Sequence, residues 1–262
     1  LGGGFEDEQG LLDAVPVEVF FVEDFGARYF LALRLALQER VTVASAVNPS
    51  TLLLFARTLA ERGPEIAAAL EQGSLGVEVA DLALRARLLS RAHKDERAAV
   101  RVRDSIAAHG QARMRDAFPD LVGLVCWKGG SSPWYLAQLP HSYGELPTLD
   151  YGYCASEGCF GAPLSVEGAA SVLVPHAHVI ELAPEEELDD VRAGRRPTVL
   201  LDEAEPGRRY GVIVTTGAGL YRYDMNDIVE VTGLIGKAPL VVFRHKAGAM
   251  ASLTGEMVGE AH

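Results

Sequence analysis

The chain has 262 residues, of which 48% are hydrophobic and 23% are charged, as in an ordinary globular protein. Its 36 acidic and 24 basic residues give a formal net charge of -12, and no basic face is obvious, which disfavours a nucleic-acid binder. The longest apolar runs, such as residues 51–56 and 121–127, are too short to cross a bilayer, and the N-terminus lacks a signal-peptide pattern. Three cysteines fit a reducing compartment, so we expect a cytoplasmic protein with no membrane partner.

The beginning of the chain is predicted to contain a strand and a helix. Residues 1–14 are glycine-rich and then acidic, which predicts a flexible lead-in. The apolar run Val15–Val22 predicts a strand. Apolar residues at helical spacing from Phe25 to about Arg40 predict a helix, for which Asp24 is a suitable N-cap.

A long helical region follows. Residues 41–47 are rich in β-branched side chains and predict a short strand, after which Ser50 is placed to cap an apolar helix. Residues 57–117 are rich in Ala, Leu, Arg and Glu and predict helix almost throughout. Breaks are predicted at Gly63-Pro64, Gly73 and Gly110.

The second half of the chain is dominated by predicted strands. A buried strand over residues 121–127 leads into a turn over residues 129–132, and the acidic segment Ala183–Asp190 predicts a solvated loop. Further strands are predicted at Thr148–Tyr153, Ala170–Val174, Val179–Leu182, Thr198–Asp202, Tyr210–Thr215, Ile228–Thr232 and Leu240–Arg244. Helices and strands in this order predict an α/β fold with a mixed sheet.

The first segment with residues suited to chemistry is 150–161, where a β-rich run ends in small residues, a hydroxyl and a carboxylate. Open α/β sheets bind ligands at the carboxyl edge of their strands. At such an edge the Tyr153 ring could stack on a purine and the Ser156 hydroxyl could bond a phosphate oxygen. Glu157 could hold Mg²⁺, which prefers oxygen ligands. A strand and a turn with polar loop residues explain the same segment without a ligand.

The second segment is Thr215–Asp227, which is followed by a predicted strand from Ile228. A carboxylate just before a strand is well placed to accept hydrogen bonds from two ribose hydroxyls, and Asp227 has this position. The alternative is a hairpin in which Asp224 and Asp227 are turn formers.

A third segment ends the last predicted strand with Phe243-Arg244-His245-Lys246. Arg244 could pair with a phosphate or with ribose oxygens, although a basic strand end is also an ordinary surface feature.

Other kinds of site are disfavoured. His176 and His178 alternate along a predicted strand, but no third metal ligand lies nearby in the sequence. Cys154 and Cys159 do not have the spacing of a zinc knuckle. The sequence has neither the Gly-x-Ser-x-Gly elbow of an α/β-hydrolase nor the Gly-x-x-x-x-Gly-Lys-Ser/Thr loop of a P-loop NTPase.

Taken in order, these segments resemble the signature motifs of the adenylate-forming superfamily, above all those of the auxin-conjugating acyl-acid amido synthetases and their bacterial relatives. That family has Tyr-x-x-Ser-Glu and then Thr-Thr-x-Ala-Gly-Leu-Tyr-Arg-Tyr-x-x-x-Asp, which match Tyr153–Glu157 and Thr215–Asp227. The resemblance covers roughly residues 15–262. Further agreement comes from Asn48-Pro49-Ser50, from Trp127 with Gly129-Gly130, and from Gly144 and Pro147.

The resemblance implies an adenylate-forming fold, in which a large N-terminal domain has mixed sheets and flanking helices, and of which this chain is a part. It implies that Tyr153 stacks on adenine, that Ser156 contacts a phosphate and that Glu157 binds Mg²⁺. It also implies that Asp227 holds the ribose hydroxyls and that Arg244 touches the nucleotide. Ser156, Glu157 and Arg244 would be the catalytic residues.

The resemblance also implies a division into domains. Residues 15–243 would be the central part of the large adenylating domain, and residues 244–262 the hinge region with the start of a truncated C-terminal domain. Lys246 falls near the expected pivot. Nothing in residues 1–30 supplies the Ser/Thr/Gly-rich phosphate loop of the family, so we expect an incomplete catalytic domain.

The implied reaction has two steps and uses ATP and Mg²⁺. The carboxylate of a small acid attacks the α-phosphate of ATP and releases pyrophosphate, and an amine such as an amino acid then displaces AMP from the acyl-adenylate. Two alternatives stay open: a thiol acceptor such as coenzyme A, and a non-catalytic relative that keeps the fold and acts by binding. Cys154 and Asn226 stand where the resemblance predicts glycine. Asn tolerates the left-handed backbone, whereas Cys154 adds a side chain near the expected adenine.

Overall fold

The computed structural model describes residues 14–130, 132–176, 178–248, 250–253 and 256–259. The predicted lead-in, except for residue 14, and the turn residue Ser131 lie outside these ranges. The chain divides into two compact units, of which the first holds residues 1–44, 50–123 and 138–146 and the second holds residues 45–49, 124–137 and 147–262. Within the described ranges, none of the helices has the length and apolar character needed to cross a membrane.

The first unit is built from helices. Those helices are α1 (Phe25–Ala36), α2 (Pro49–Gln72), α3 (Leu82–Arg91), α4 (Glu96–His109), α5 (Met114–Ala117) and α7 (Leu139–Tyr143). Aspartates begin α1, α3 and α4: the carboxylates of Asp24, Asp81 and Asp95 accept hydrogen bonds from backbone N–H groups of the first turn. The predicted cap at Asp24 is therefore confirmed.

The strand predicted over Val15–Val22 is wrong, because Val17–Phe21 forms a 3-10 helix. Pro16 precedes it, and proline has no N–H to donate to a strand ladder. The helical turn places Val19 and Val22 in the apolar core of this unit. Burial of these side chains decides the local structure here, since an apolar run without alternation fits either conformation.

The break predicted at Gly63-Pro64 is also wrong, because α2 continues through Pro64. A proline inside a helix costs about 3 kcal/mol. Leu59, Ile66 and Leu70 of α2 are fully buried, and burying one such side chain contributes about 2 kcal/mol. The packing of α2 therefore outweighs the local penalty.

The helix ends predicted at Gly73 and Gly110 are confirmed. Both residues have a left-handed backbone, with φ of +67° and +75°. The N–H of Gly110 donates to the carbonyl of Ile106 and closes α4, as in a glycine C-cap.

The second unit is built from sheets. A three-stranded sheet has the order β1-β2-β3, and its strands β2 and β3 are parallel. A seven-stranded antiparallel sheet has the order β6-β7-β12-β11-β10-β8-β9. The strands of these two sheets are β1 (Val43–Ser45), β2 (Gly123–Cys126), β3 (Thr148–Asp150), β6 (Gly161–Pro163), β7 (Ser171–Leu173), β8 (His178–Pro184), β9 (Val199–Leu200), β10 (Arg209–Thr216), β11 (Tyr223–Ile235) and β12 (Ala238–Lys246).

The described residues of this unit also form two small hairpins and two short α-helices. They are the hairpin of β4 (Cys154–Ala155) and β5 (Gly158–Cys159), the hairpin of β13 (Met250–Leu253) and β14 (Glu256–Gly259), and the helices α6 (Ser132–Leu136) and α8 (Leu188–Arg192). The helices, the parallel pair of strands and the antiparallel sheet confirm the predicted α/β class, but the large sheet is antiparallel throughout its described strands and is not mixed.

The solvated loop predicted over Ala183–Asp190 is wrong. β8 extends to Pro184, and a 3-10 helix at Glu185–Glu187 leads directly into α8. Leu188 and Val191 of α8 are buried in one cluster with residues of β8, β10 and β11. This apolar pair, three residues apart, anchors a helix within an otherwise acidic segment.

Candidate functional site

The two motif segments meet through a buried hydrogen bond. The hydroxyl of Tyr153 donates to Oδ2 of Asp227 over 2.8 Å, although the two residues are 74 positions apart in the sequence. Asp227 is 4% exposed and Tyr153 is 8% exposed. Lys246 completes the cluster, since its Nζ lies 2.6 Å from Oδ1 of Asp227 and also donates to the carbonyl of Met225. We call Tyr153, Asp227 and Lys246 the carboxylate cluster.

The central strands of the large sheet position Asp227 and Lys246. Asp227 of β11 faces Lys246 of β12 in the antiparallel register. β11 begins at Tyr223, so Asp227 lies inside the strand, and the prediction that it precedes the strand is wrong. The strand is distorted just before it, because Asn226 has φ of +55°. This confirms that asparagine takes a left-handed backbone where glycine was expected.

Tyr153 follows the carboxyl end of β3, and its ring packs into the core of the large sheet. The ring centroid lies 5.9 Å from that of the buried Phe160. The Tyr153 carbonyl accepts hydrogen bonds from the N–H groups of Phe160 and Gly161, which fixes the backbone here. Little of the ring is open to solvent, so its stacking on adenine stays a prediction.

Ser156 and Glu157 form the two-residue turn between β4 and β5. Ser156 is exposed and Glu157 is half-buried. Burial raises the pKa of Tyr153 well above its ordinary 10.0, and the carboxylates of Asp227 and Glu157 raise it further. Since Tyr153 directly precedes β4, this turn lies close to the carboxylate cluster along the chain.

Replacing Tyr153 with phenylalanine should reduce the free energy of unfolding by about 2 kcal/mol, because Asp227 loses a hydrogen bond to its charged carboxylate. The pKa of Tyr153 is higher in the folded chain than in the unfolded chain, where it is near 10.0. The protonated hydroxyl therefore stabilises the folded chain fully below the unfolded pKa, and this stabilisation is lost as the pH rises through the folded pKa. Urea denaturation below and above that pH should therefore show that the free energy of unfolding falls less steeply with rising pH in Tyr153→Phe than in the native chain. Parallel declines would contradict this.

A matched control for this variant is Tyr221→Phe. Tyr221 is 81% exposed, so the loss of its hydroxyl should change the free energy of unfolding by no more than about 0.5 kcal/mol.

A second polar pair lies at the carboxyl ends of the parallel strands β2 and β3. The buried carboxylate of Asp150 accepts hydrogen bonds from the backbone N–H groups of Lys128 and Gly152. Nζ of Lys128 donates to the carbonyls of Thr148 and Val166. Burial raises the pKa of Asp150 and lowers the pKa of Lys128. Sequence reasoning missed Lys128, although its place directly after a buried strand was a usable signal.

Arg244 is not part of the carboxylate cluster. Its Nε lies 3.0 Å from Oε2 of Glu230, in an exposed ion pair. The register shifts next to it, because Ile228 faces His245 whereas Val229 faces Phe243. The structure therefore brings Lys246, and not Arg244, to Asp227.

The rest of the second motif forms the connection between β10 and β11. Arg222 has an uncommon positive φ of +45° for a residue with a long side chain. Its backbone N–H donates to Oγ1 of Thr215, and its guanidinium contacts the carboxylate of Glu181. The hairpin alternative is confirmed in part, since β10 and β11 are adjacent antiparallel strands, but neither Asp224 nor Asp227 lies in the turn. The buried Thr216 hydroxyl has no hydrogen-bond partner among the described residues.

The described part of the chain contains no group of three or more His, Cys, Asp and Glu side chains that could hold a metal ion by themselves. A Mg²⁺ ion often takes only one or two carboxylates and completes its shell with substrate phosphates and water. Glu157, as the half-buried carboxylate of the turn, fits a site of that kind.

Comparison with known proteins gives two family matches. The GH3 family N-terminal domain matches residues 5–148, and the GH3 family central domain matches residues 171–246. The indole-3-acetic acid-amido synthetase GH3.4 of Arabidopsis thaliana is 25% identical over 87% of this chain and 39% of its own length. The jasmonoyl--L-amino acid synthetase JAR4 of Nicotiana attenuata is 27% identical over 91% of this chain and 42% of its own length. The chain thus spans about two fifths of these relatives.

Two solved structures are similar to this chain in fold. The GH3.15 acyl acid amido synthetase superposes with a TM-score of 0.75 at 20% identity, over 94% of this chain and 45% of its own. AtGH3.15 acyl acid amido synthetase in complex with 2,4-DB also has a TM-score of 0.75, at 22% identity, over 90% of this chain and 42% of its own. This similarity confirms the adenylate-forming fold predicted from the motifs.

Proposed function

Because the chain belongs to the GH3 family, we propose that it carries part of the nucleotide site of an acyl-acid amido synthetase. In the proposed reaction, a carboxylic acid is activated with ATP as an acyl-adenylate, and the acyl group is then transferred to the amine of an amino acid. The observation that carries the proposal is the carboxylate cluster, in which Tyr153 of one motif contacts Asp227 of the other.

Asp227 is proposed to accept hydrogen bonds from the ribose hydroxyls. A carboxylate offers about four lone-pair positions, of which Tyr153 and Lys246 occupy two. Since Asp227 is buried, one of the groups that cover it must move before a ribose can reach it. Lys246 is suited to this, because its side chain is flexible and 21% exposed, whereas the Tyr153 ring is packed in the core.

The turn between β4 and β5 is proposed to face the phosphates. The exposed hydroxyl of Ser156 is free to donate to a phosphate oxygen, and Glu157 would hold Mg²⁺ together with the phosphates. When bound, Mg²⁺ offsets the negative charge on the phosphate oxygens. Arg244 is proposed to touch the nucleotide only after its exposed contact with Glu230 opens. Residues 15–243 and 244–262 remain our proposed boundaries for the adenylating domain and the hinge region.

Calorimetric titration of the chain with AMP, and with ATP in the presence of Mg²⁺, tests this proposal. We expect both ligands to bind. In Glu157→Gln, the affinity for ATP with Mg²⁺ should fall about tenfold, because one charge-assisted contact is worth at least about 1.4 kcal/mol. The affinity for AMP without Mg²⁺ should stay within about twofold.

The control variant is Glu167→Gln, which changes an exposed carboxylate of the same unit and should leave both affinities unchanged. If neither AMP nor ATP binds the native chain, the proposal for this chain fails and a relative that keeps only the fold is favoured. If Glu157→Gln weakens both ligands equally, Glu157 does not act through Mg²⁺.

A further inference from the structure

Two free cysteines face each other across the hairpin that carries Ser156 and Glu157. Cys154 of β4 pairs with Cys159 of β5, and Ala155 pairs with Gly158 next to the turn. The sequence spacing of the two cysteines was compared only with that of a zinc site, and it did not predict this pairing.

The ladder around this pair has the geometry of a cross-strand disulfide. In an antiparallel ladder, hydrogen-bonded and non-hydrogen-bonded pairs alternate. The N–H of Phe160 donates to the carbonyl of Tyr153, so the adjacent pair Cys154 and Cys159 is a non-hydrogen-bonded one. The Cα atoms of such a pair are about 4.5 Å apart, which lies within the range of about 4.4–6.8 Å found for disulfides.

The two thiols also differ in access. Cys159 is exposed and Cys154 is half-buried. Burial and the neighbouring Cys159 raise the pKa of Cys154 to about 12. The third cysteine, Cys126, is fully buried, and burial raises its pKa to about 11. An oxidant from solution therefore meets Cys159 first.

We propose that Cys154 and Cys159 form a reversible intramolecular disulfide in exchange with a low-molecular-weight disulfide such as oxidised glutathione. The Cys159 thiolate attacks one sulfur of the small disulfide, whose S–S bond breaks and releases one thiol. Once the Cys159 sulfur is part of a mixed disulfide it carries no charge, so it no longer repels a thiolate at Cys154. Cys154 then gives up its proton to solvent, attacks the Cys159 sulfur and releases the second small thiol. Two protein thiols are oxidised and one small disulfide is reduced.

The test is to incubate the whole chain with oxidised glutathione, quench with acid, unfold, alkylate and measure the intact mass. We expect a chain that is lighter by two hydrogen atoms, with one alkylated thiol that peptide mapping assigns to Cys126. A dithiol reductant should restore all three thiols. Cys154→Ser removes the second attacking thiol, so this variant should instead keep one glutathione on Cys159.

Three results would overturn the proposal. They are a native chain that retains three alkylatable thiols, a native chain that keeps glutathione on Cys159, and a disulfide that joins two chains or includes Cys126. Cys159→Ser serves as the matched control, because without the exposed thiol both remaining cysteines should stay reduced under the same treatment. Serine is close to cysteine in size, so both variants should keep the native circular dichroism spectrum.

Discussion

Asp227→Asn is expected to weaken AMP binding by about thirtyfold, since hydrogen bonds to a charged carboxylate are worth about 2 kcal/mol more than those to its neutral replacement. The asparagine keeps the shape of the side chain and can still accept the Tyr153 hydroxyl. What it loses is the charge that Lys246 contacts and that the ribose hydroxyls are proposed to contact. Calorimetric titration with AMP at fixed salt measures the change.

The carboxylate of Asp227 also stabilises the fold, so binding and stability must be measured together. Removing it leaves Lys246 without its ion-pair partner in a largely buried position, which should lower the free energy of unfolding by about 3 kcal/mol. The double variant Asp227→Asn with Lys246→Met should regain part of this loss, because no unpaired cation remains. Nucleotide binding should not return with it.

Asp224→Asn provides the matched control on the same strand. Its carboxylate lies 2.6 Å from Nε of Arg192 and accepts a hydrogen bond from the backbone N–H of Asn226. AMP affinity should stay within about twofold, since an exposed ion pair contributes about 1 kcal/mol or less to the fold. Unchanged AMP affinity in a folded Asp227→Asn chain, on the other hand, would remove Asp227 from the nucleotide site.

Gly152→Ala is expected to lower the free energy of unfolding by about 3 kcal/mol, because two costs add at this position. Gly152 has φ of +95°, a backbone conformation that alanine adopts with strain. A Cβ atom here would lie 2.6 Å from the carbonyl oxygen of Gly161, a backbone atom that cannot rotate away. Urea denaturation followed by circular dichroism measures the loss.

Gly168→Ala separates these two costs. Gly168 has a similar left-handed backbone, with φ of +68°, but an added Cβ would meet no atom within 4 Å. Its substitution should therefore cost only the backbone strain of about 1 kcal/mol. Equal losses at Gly152 and Gly168 would show that the chain moves Gly161 without cost. A larger loss at Gly152 measures the clash of the added Cβ atom with the carbonyl oxygen of Gly161.

Local sequence was enough to predict those features that depend on neighbouring residues. The cap at Asp24, the helix ends at Gly73 and Gly110, and the left-handed Asn226 follow from side chains that act on their own backbone. The ordered motifs also identified the family and its fold, because a long signature with fixed spacing rarely arises by chance.

Predictions failed where tertiary packing opposed local preference. The segment Val15–Val22 is helical because burial of Val19 and Val22 outweighs its strand propensity. Helix α2 passes Pro64 for the same reason, and the apolar pair of α8 organises a segment whose charges predicted a loop. Short-range patterns give no measure of how much apolar surface a fold will bury.

The candidate site was likewise determined in two stages. The sequence by itself supplied Tyr153, Ser156, Glu157 and Asp227 as groups with suitable chemistry. Only the tertiary structure showed that Asp227 lies inside β11, that Lys246 is its cation, and that Arg244 pairs with Glu230 instead. The physical reason is that ion pairing depends on strand register, and a bulge beside Arg244 changes which side chain faces Asp227. Such a register is set by the packing of whole strands, which no single motif encodes.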